Sequence, residues 1–215
     1  MAPLPPSTRS AIREWLYKFG LSEIETAYEA AMESVRSRRA VIERRGDLEA
    51  IDGDGEFPIG GGLDNEDRQH ELYQEASRAE ELIRNAFMIA LFHFFERQCV
   101  SAMKDGRRFD HERAMEWLEL HGYSPDRRQL RTLELCVHCS KHGAGASCNR
   151  LFAQEPAFFR TMTVAGKVLP PSDDRMRIPL ERLNQFFEAV ANAMTGPASP
   201  RRKASPQRSA SLPSS

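Results

Sequence analysis

Between Ala86 and Phe95 the chain reads AFMIALFHFF, a run that is apolar on nearly every side of a helix and lies within a longer helical pattern. A helix with no polar face must be wrapped by other helices or by a second copy of itself, so this run calls for the middle of a bundle or a dimer interface. At ten residues it is about half a membrane span and contains His93, which excludes a transmembrane reading. His93, Glu96 and Arg97 are its polar interruptions, expected to pair with one another or with neighbours where the buried section ends.

The flanking pattern is helical as well. Ile12, Trp15, Leu16 and Phe19 recur at helical spacing after a Ser7 or Thr8 cap, and Leu21, Ile24, Tyr28, Ala31, Val35 and Ile42 extend the stripe past Gly20, as one long helix with a break or as two short ones. Residues 46–67 hold eight acids, no base and many glycines, and read as an acidic Gly-rich loop. Its Asp52-Gly53-Asp54-Gly55-Glu56 run hints at a calcium loop. An EF-hand, however, needs Gly where Phe57 stands and a bidentate Glu where Leu63 stands. A second long helix, antiparallel to the first, is expected from about Asn65 to Met103. Shorter helices follow over 110–121, 126–142 and 147–154, then an irregular stretch with Pro170 and Pro171, and a last amphipathic helix from Pro179 to about Met194.

The expected organisation is a short disordered N-terminus (1–6), a single all-α helical domain (7–195), and a disordered basic Pro/Ser tail (196–215). Lys plus Arg total 30 against 31 acids, so no global field announces nucleic acid or a basic partner. MAPLPPSTRS lacks the charged start and apolar run of a secretory signal, and the expectation is a cytoplasmic protein with no membrane association. Four cysteines in such a chain are then thiols or metal ligands rather than a disulfide scaffold.

Functional residues concentrate between Leu135 and Phe158, which hold three of the four cysteines and two of the six histidines. On a helix, positions seven and eleven apart return to within about 20° of one direction, so Arg131, His138 and His142 share a stripe with Leu135 between them. Lys141 and His142 in a last turn complement the helix dipole and Gly143 suits a left-handed C′ position, so capping accounts for Lys-His-Gly but not for His138. Cys136, Cys139, His142 and Cys148 spell C-x2-C-x2-H-x5-C, which has the donor chemistry of a structural zinc site; two cysteines three apart on a continuous helix reach one ion only with local unwinding. A Cys139 nucleophile beside His142 has nothing to orient the imidazole and only the backbone amides of 143–146 as oxyanion donors. The other place with arginine and histidine in loose register, Arg84-Asn85 followed by His93, sits in the buried helix and reads as a decoy.

The string Leu133-Glu134-Leu135 through Lys141-His142-Gly143-Ala144-Gly145-Ala146-Ser147, followed by Leu151, Pro156 and Phe158 or Phe159, resembles a segment of uncharacterised bacterial proteins. In these a helix ends in Asn-x-x-Lys-His-Gly-x-Gly-x-Ser before a Leu and a Pro-x-x-Phe. That segment is similar to one in HEPN-like all-helical domains of prokaryotic toxin and phage-defence systems, whose central helix carries a Glu near where Glu96 stands. The likeness spans roughly 72–194 through short motifs. It implies a HEPN-like bundle, a homodimer, a protein partner encoded nearby, and a metal-independent ribonuclease site of pattern R-x4-6-H with no cofactor. The family histidine falls on His142 and the polar residue four before it on His138. The family arginine would fall on Leu135, Cys136 or Val137, so this chain departs from the pattern at that point.

RNA cleavage by the 2′-hydroxyl needs a base, an acid for the leaving 5′-oxygen, and a cation for the phosphate. His138 and His142 supply the first two, and Lys141 or a partner subunit's Arg131 the cation. The competing class is a non-catalytic helical dimerisation or partner-binding module, with or without the zinc. An enzyme is expected to expose His138 and His142 in a dimer cleft, whereas a binding module is expected to bury or cap them and show an apolar patch elsewhere.

Overall fold

A computed structural model describes residues 6–51 and 61–195. The Asp52–Glu56 calcium hint, the first five residues and the tail from 196 lie outside the described residues. The described residues form an all-α bundle of six helices: α1 (Pro6–Ile51), α2 (Gly61–Met103), α3 (His111–Leu120), α4 (Arg127–His142), α5 (Ala146–Gln154) and α6 (Leu180–Ala193). A two-stranded antiparallel hairpin, β1 (Thr163–Val164) and β2 (Lys167–Val168), stands between α5 and α6.

α1 and α2 run antiparallel. Tyr17 meets Phe94 with ring centroids 5.2 Å apart, Tyr28 meets Phe87 at 5.4 Å, and Arg39 lies over the Tyr73 ring at 4.2 Å. α1 continues through Gly20 without a break. A Cβ there would come within 2.7 Å of Phe94 Cε2, so the glycine lets α2 approach closely rather than ending a helix. The helical segments also extend into the expected acidic loop, since residues 46–51 belong to α1 and 61–67 to α2. Neither stretch contains proline, and acidic composition alone does not stop backbone hydrogen bonding.

The apolar stripe of α1 divides. Tyr17, Leu21, Tyr28 and Met32 are buried, whereas Ile12, Trp15, Leu16 and Phe19 are uncovered, Trp15 at 62% exposure. The expected stripe mixed these two sets, and α2 covers only the face that contains Tyr17 and Tyr28. Beyond Met32 the helices are joined by surface polar contacts, Arg38 to Glu75 and Arg39 to Glu80.

The apolar run of α2 fills the centre, with Met88, Leu91, Phe92, Phe94 and Phe95 buried. α4 crosses it through Leu130, Leu133, Cys136 and Val137, and α6 closes the other side through Leu183, Phe186, Phe187 and Val190. Tyr17 Oη donates to the Val190 carbonyl at 2.5 Å and so fastens α1 to α6. Each of the two middle helices starts on an aspartate cap, Asp110 accepting from the Arg113 amide and Asp126 from the Gln129 amide.

Candidate active site where α2 meets α4

The end of α4 is built as its sequence requires. Lys141 and His142 occupy the last turn, and Gly143 follows at φ 68° with its N–H donating to the Cys139 carbonyl. Capping therefore explains Gly143. It does not use up the side chains before it.

Lys141 reaches across to α2, where its Nζ lies 2.5 Å from His93 Nε2. On the other side of that ring, His93 Nδ1 lies 2.8 Å from Glu96 Oε2. A carboxylate only accepts, so the neutral imidazole carries its proton on Nδ1 and offers the Nε2 lone pair to the ammonium. Glu96, His93 and Lys141 thus form one chain of hydrogen bonds joining two helices. Arg97 adds a bond from Nε to the His93 carbonyl at 3.3 Å.

His138 lies one turn before His142, with ring centroids 6.0 Å apart. Its ring also stands edge-on to Phe92, the residue before His93, at 6.4 Å. The Phe92 contact holds His138 half-buried, while His142 and Lys141 are exposed. Three imidazoles, one ammonium and one carboxylate thus gather where α2 crosses the end of α4. Among the predicted residues, the structure brings together His138, Lys141 and His142, and adds His93 and Glu96.

The sequence marks His93, Glu96 and Arg97 as polar interruptions that pair with one another or with neighbours, and both kinds of contact are present. Their link to Lys141, 48 residues away, carries no local signal; the one hint is the glutamate that the resembling family has on its central helix.

Arg131 is positioned elsewhere. Its guanidinium is bonded to Glu134, whose carboxylate also approaches His111 Nδ1 at 3.3 Å. It is eleven residues before His142, about 16 Å along the axis, so within one chain it does not join the histidines. His111 is buried, and burial pushes its imidazole below the ordinary value against the opposing pull of Glu134. The Arg84–His93 pattern is also apart, since Arg84 pairs with Glu80 and donates to the Ile178 carbonyl.

The cysteine readings need correction. Cys139 and Cys148 are joined in a disulfide between the end of α4 and the start of α5, not held apart as thiols. Cys136 is a free, fully buried cysteine, and burial raises its thiol well above the ordinary value. The C-x2-C-x2-H-x5-C set therefore does not converge on a zinc site, and among the described residues no group of three or more His, Cys, Asp and Glu is arranged to hold a metal. The turn at 143–145 brings Cys148 back to Cys139, and the disulfide takes up both sulfurs. No described helix is long and apolar enough to cross a membrane.

No family model, curated protein or solved structure matches the chain.

Proposed function

We propose that this protein is a metal-independent ribonuclease of the HEPN-like toxin or phage-defence type, with a site built around His138, Lys141 and His142. The observation that carries the reading is the convergence of these three groups with His93 and Glu96 on one partly exposed surface. In the reaction, the ribose 2′-oxygen attacks phosphorus and the bond from phosphorus to the 5′-oxygen breaks. One imidazole of the His138–His142 pair takes the 2′-hydroxyl proton and the other gives a proton to the departing 5′-oxygen. Lys141 balances the charge on the phosphate oxygens. His93 and Glu96 act as positioning residues, holding the ammonium at the end of α4 in place of the arginine that the family pattern has on the helix itself.

The test is cleavage of mixed RNA in EDTA by the parent protein, His138→Ala and His142→Ala. Products ending in 2′,3′-cyclic phosphate and lost in either variant support the reading. Unchanged cleavage in the double variant, or none by the parent, refutes it.

A second reading, a homodimeric or partner-binding helical module, is favoured by one other observation. Ile12, Trp15, Leu16 and Phe19 form an uncovered apolar strip on α1, with Trp15 and Phe19 stacked 5.4 Å apart. Trp15→Glu with Phe19→Glu is expected to shift sedimentation from dimer to monomer if that strip joins two copies. Monomeric parent protein would remove this support.

A further inference from the structure

On α2, positions 82, 86, 89, 93 and 96 return to within about 40° of one direction. The last two carry His93 and Glu96. The earlier positions, together with Arg78, Glu81 and Asn85, form one wall of a cleft of about 530 Å³, and Ser140, Asp173, Asp174 and Arg177 line it from the other side. Ser140 immediately precedes Lys141, and Ile89 lies one turn, about 6 Å, before His93. The cleft therefore opens beside the Lys141–His93 contact, in the size range of small-molecule sites.

The lining indicates what fits. Leu82 is a large aliphatic side chain, 68% exposed at the rim, and Ile89 continues the apolar wall inward, a surface suited to the face of a flat ring. Asp173 and Asp174 bring carboxylate oxygens. Arg177 does not offset them freely, because its Nε is 2.5 Å from Glu81. Arg78 and Glu81 also line the cleft, so the charges are mixed, and what Asp173 and Asp174 add is a pair of acceptors for N–H donors. Ser140 borders the cleft, with its hydroxyl buried. An apolar wall, carboxylates for a pair of N–H groups and the Arg78 guanidinium as a donor complement the edge of guanine, which presents N1–H and N2–H2 beside its O6 and N7 acceptors.

The geometry points to this cleft as a guanine-binding subsite that receives the base next to the scissile phosphate and gives the cleavage its sequence preference. The inference rests on the ribonuclease reading for its role, though not for its ligand. Stacking of the base on Leu82 and Ile89 sets the nucleotide in place, and Asp173 and Asp174 select guanine over bases with fewer adjacent donors.

Guanosine, inosine, adenosine and uridine are titrated calorimetrically into the full chain, the Asp173→Asn/Asp174→Asn double variant and Leu82→Arg. Leu82 is exposed enough for its replacement to leave the fold intact, which circular dichroism checks. Guanosine should bind the parent about tenfold more tightly than the other three nucleosides, a preference of the size one bidentate base contact gives. The Asp173→Asn/Asp174→Asn variant should lose that preference, and Leu82→Arg should weaken guanosine binding by about the same factor. Equal binding of all four nucleosides, no binding, or guanosine binding untouched in both variants would overturn the assignment. A protein that binds guanosine here yet leaves RNA intact refutes the ribonuclease reading alone; one that cuts RNA without base preference and binds no guanosine refutes the subsite alone.

Discussion

Gly20 is the point at which a routine stabilising change should fail. Replacing a glycine inside a helix by alanine ordinarily gains about 1 kcal/mol, because alanine loses less backbone freedom on folding. Here the new Cβ meets Phe94 Cε2 at 2.7 Å and Cζ at 3.3 Å. Phe94 is 5% exposed and its ring leans on Tyr17, whose hydroxyl is fixed to α6, so the ring has little room to retreat. Overpacking of this kind costs about 1–3 kcal/mol. The expected balance for Gly20→Ala is a loss of about 1 kcal/mol, or about 2–4 °C in Tm for a chain of this size. Urea unfolding followed by circular dichroism reads it directly. In a Phe94→Leu background the obstruction is gone, and the same substitution should stabilise by about 1 kcal/mol, giving a coupling of about 2 kcal/mol in the double-mutant cycle. Gly20→Ala protein more stable than its parent would show that α2 does not approach α1 as described.

Other expectations follow from buried and strained groups. His111 has its pKa lowered by burial, so below about pH 6.5 the unfolded chain takes up a proton that the folded chain refuses. Stability should therefore fall as pH drops from 6.5 toward the folded value, and denaturant midpoints that stay flat over that window would contradict the burial of His111. The Cys139–Cys148 bridge closes a loop with a sequence separation of nine, for which the chain-entropy relation gives about 2.5 kcal/mol. Thiol titration of the unreduced, denatured protein should count two cysteines, Cys99 and Cys136, and four would refute the bridge. In the β1–β2 turn, Ala165 and Gly166 both have positive φ, the requirement of a type I′ turn. Ala165→Asn should raise stability by about 0.5–1 kcal/mol, and a destabilised variant would argue against that turn.

Much of the helical frame was readable from periodicity because its long segments repeat at helical spacing, and the ends of α3 and α4 because Asp110, Asp126 and Gly143 are strong local signals. The buried face of α1 was not readable, since two apolar stripes lie on that helix and only contact with α2 decides between them. The hairpin at 163–168 is too short to repeat any pattern. For the site, His138, Lys141 and His142 stand close together in sequence and could be chosen by eye. Glu96 and His93 join them only because α2 and α4 cross. The disulfide was missed for a similar reason, as the fold rather than the spacing brings Cys148 back over the end of α4.

The pairing of α1 with α2 has a mechanical consequence. Buried side chains on α1 end at Met32 and those on α2 begin at Ala76, and among the described residues no side chain of 33–44 or 67–75 is buried by a third layer. Opening there breaks few apolar contacts and costs less than unfolding the whole. Amide protons should exchange progressively faster from Tyr28 outward. From 33 to Ile51, nineteen residues of α1 at about 1.5 Å each make an arm of about 28 Å, over which a tilt of a few degrees at the Tyr28–Phe87 contact becomes a displacement of an ångström or more at its far end. The molecule thus carries a lever whose pivot lies in the same helix that holds His93.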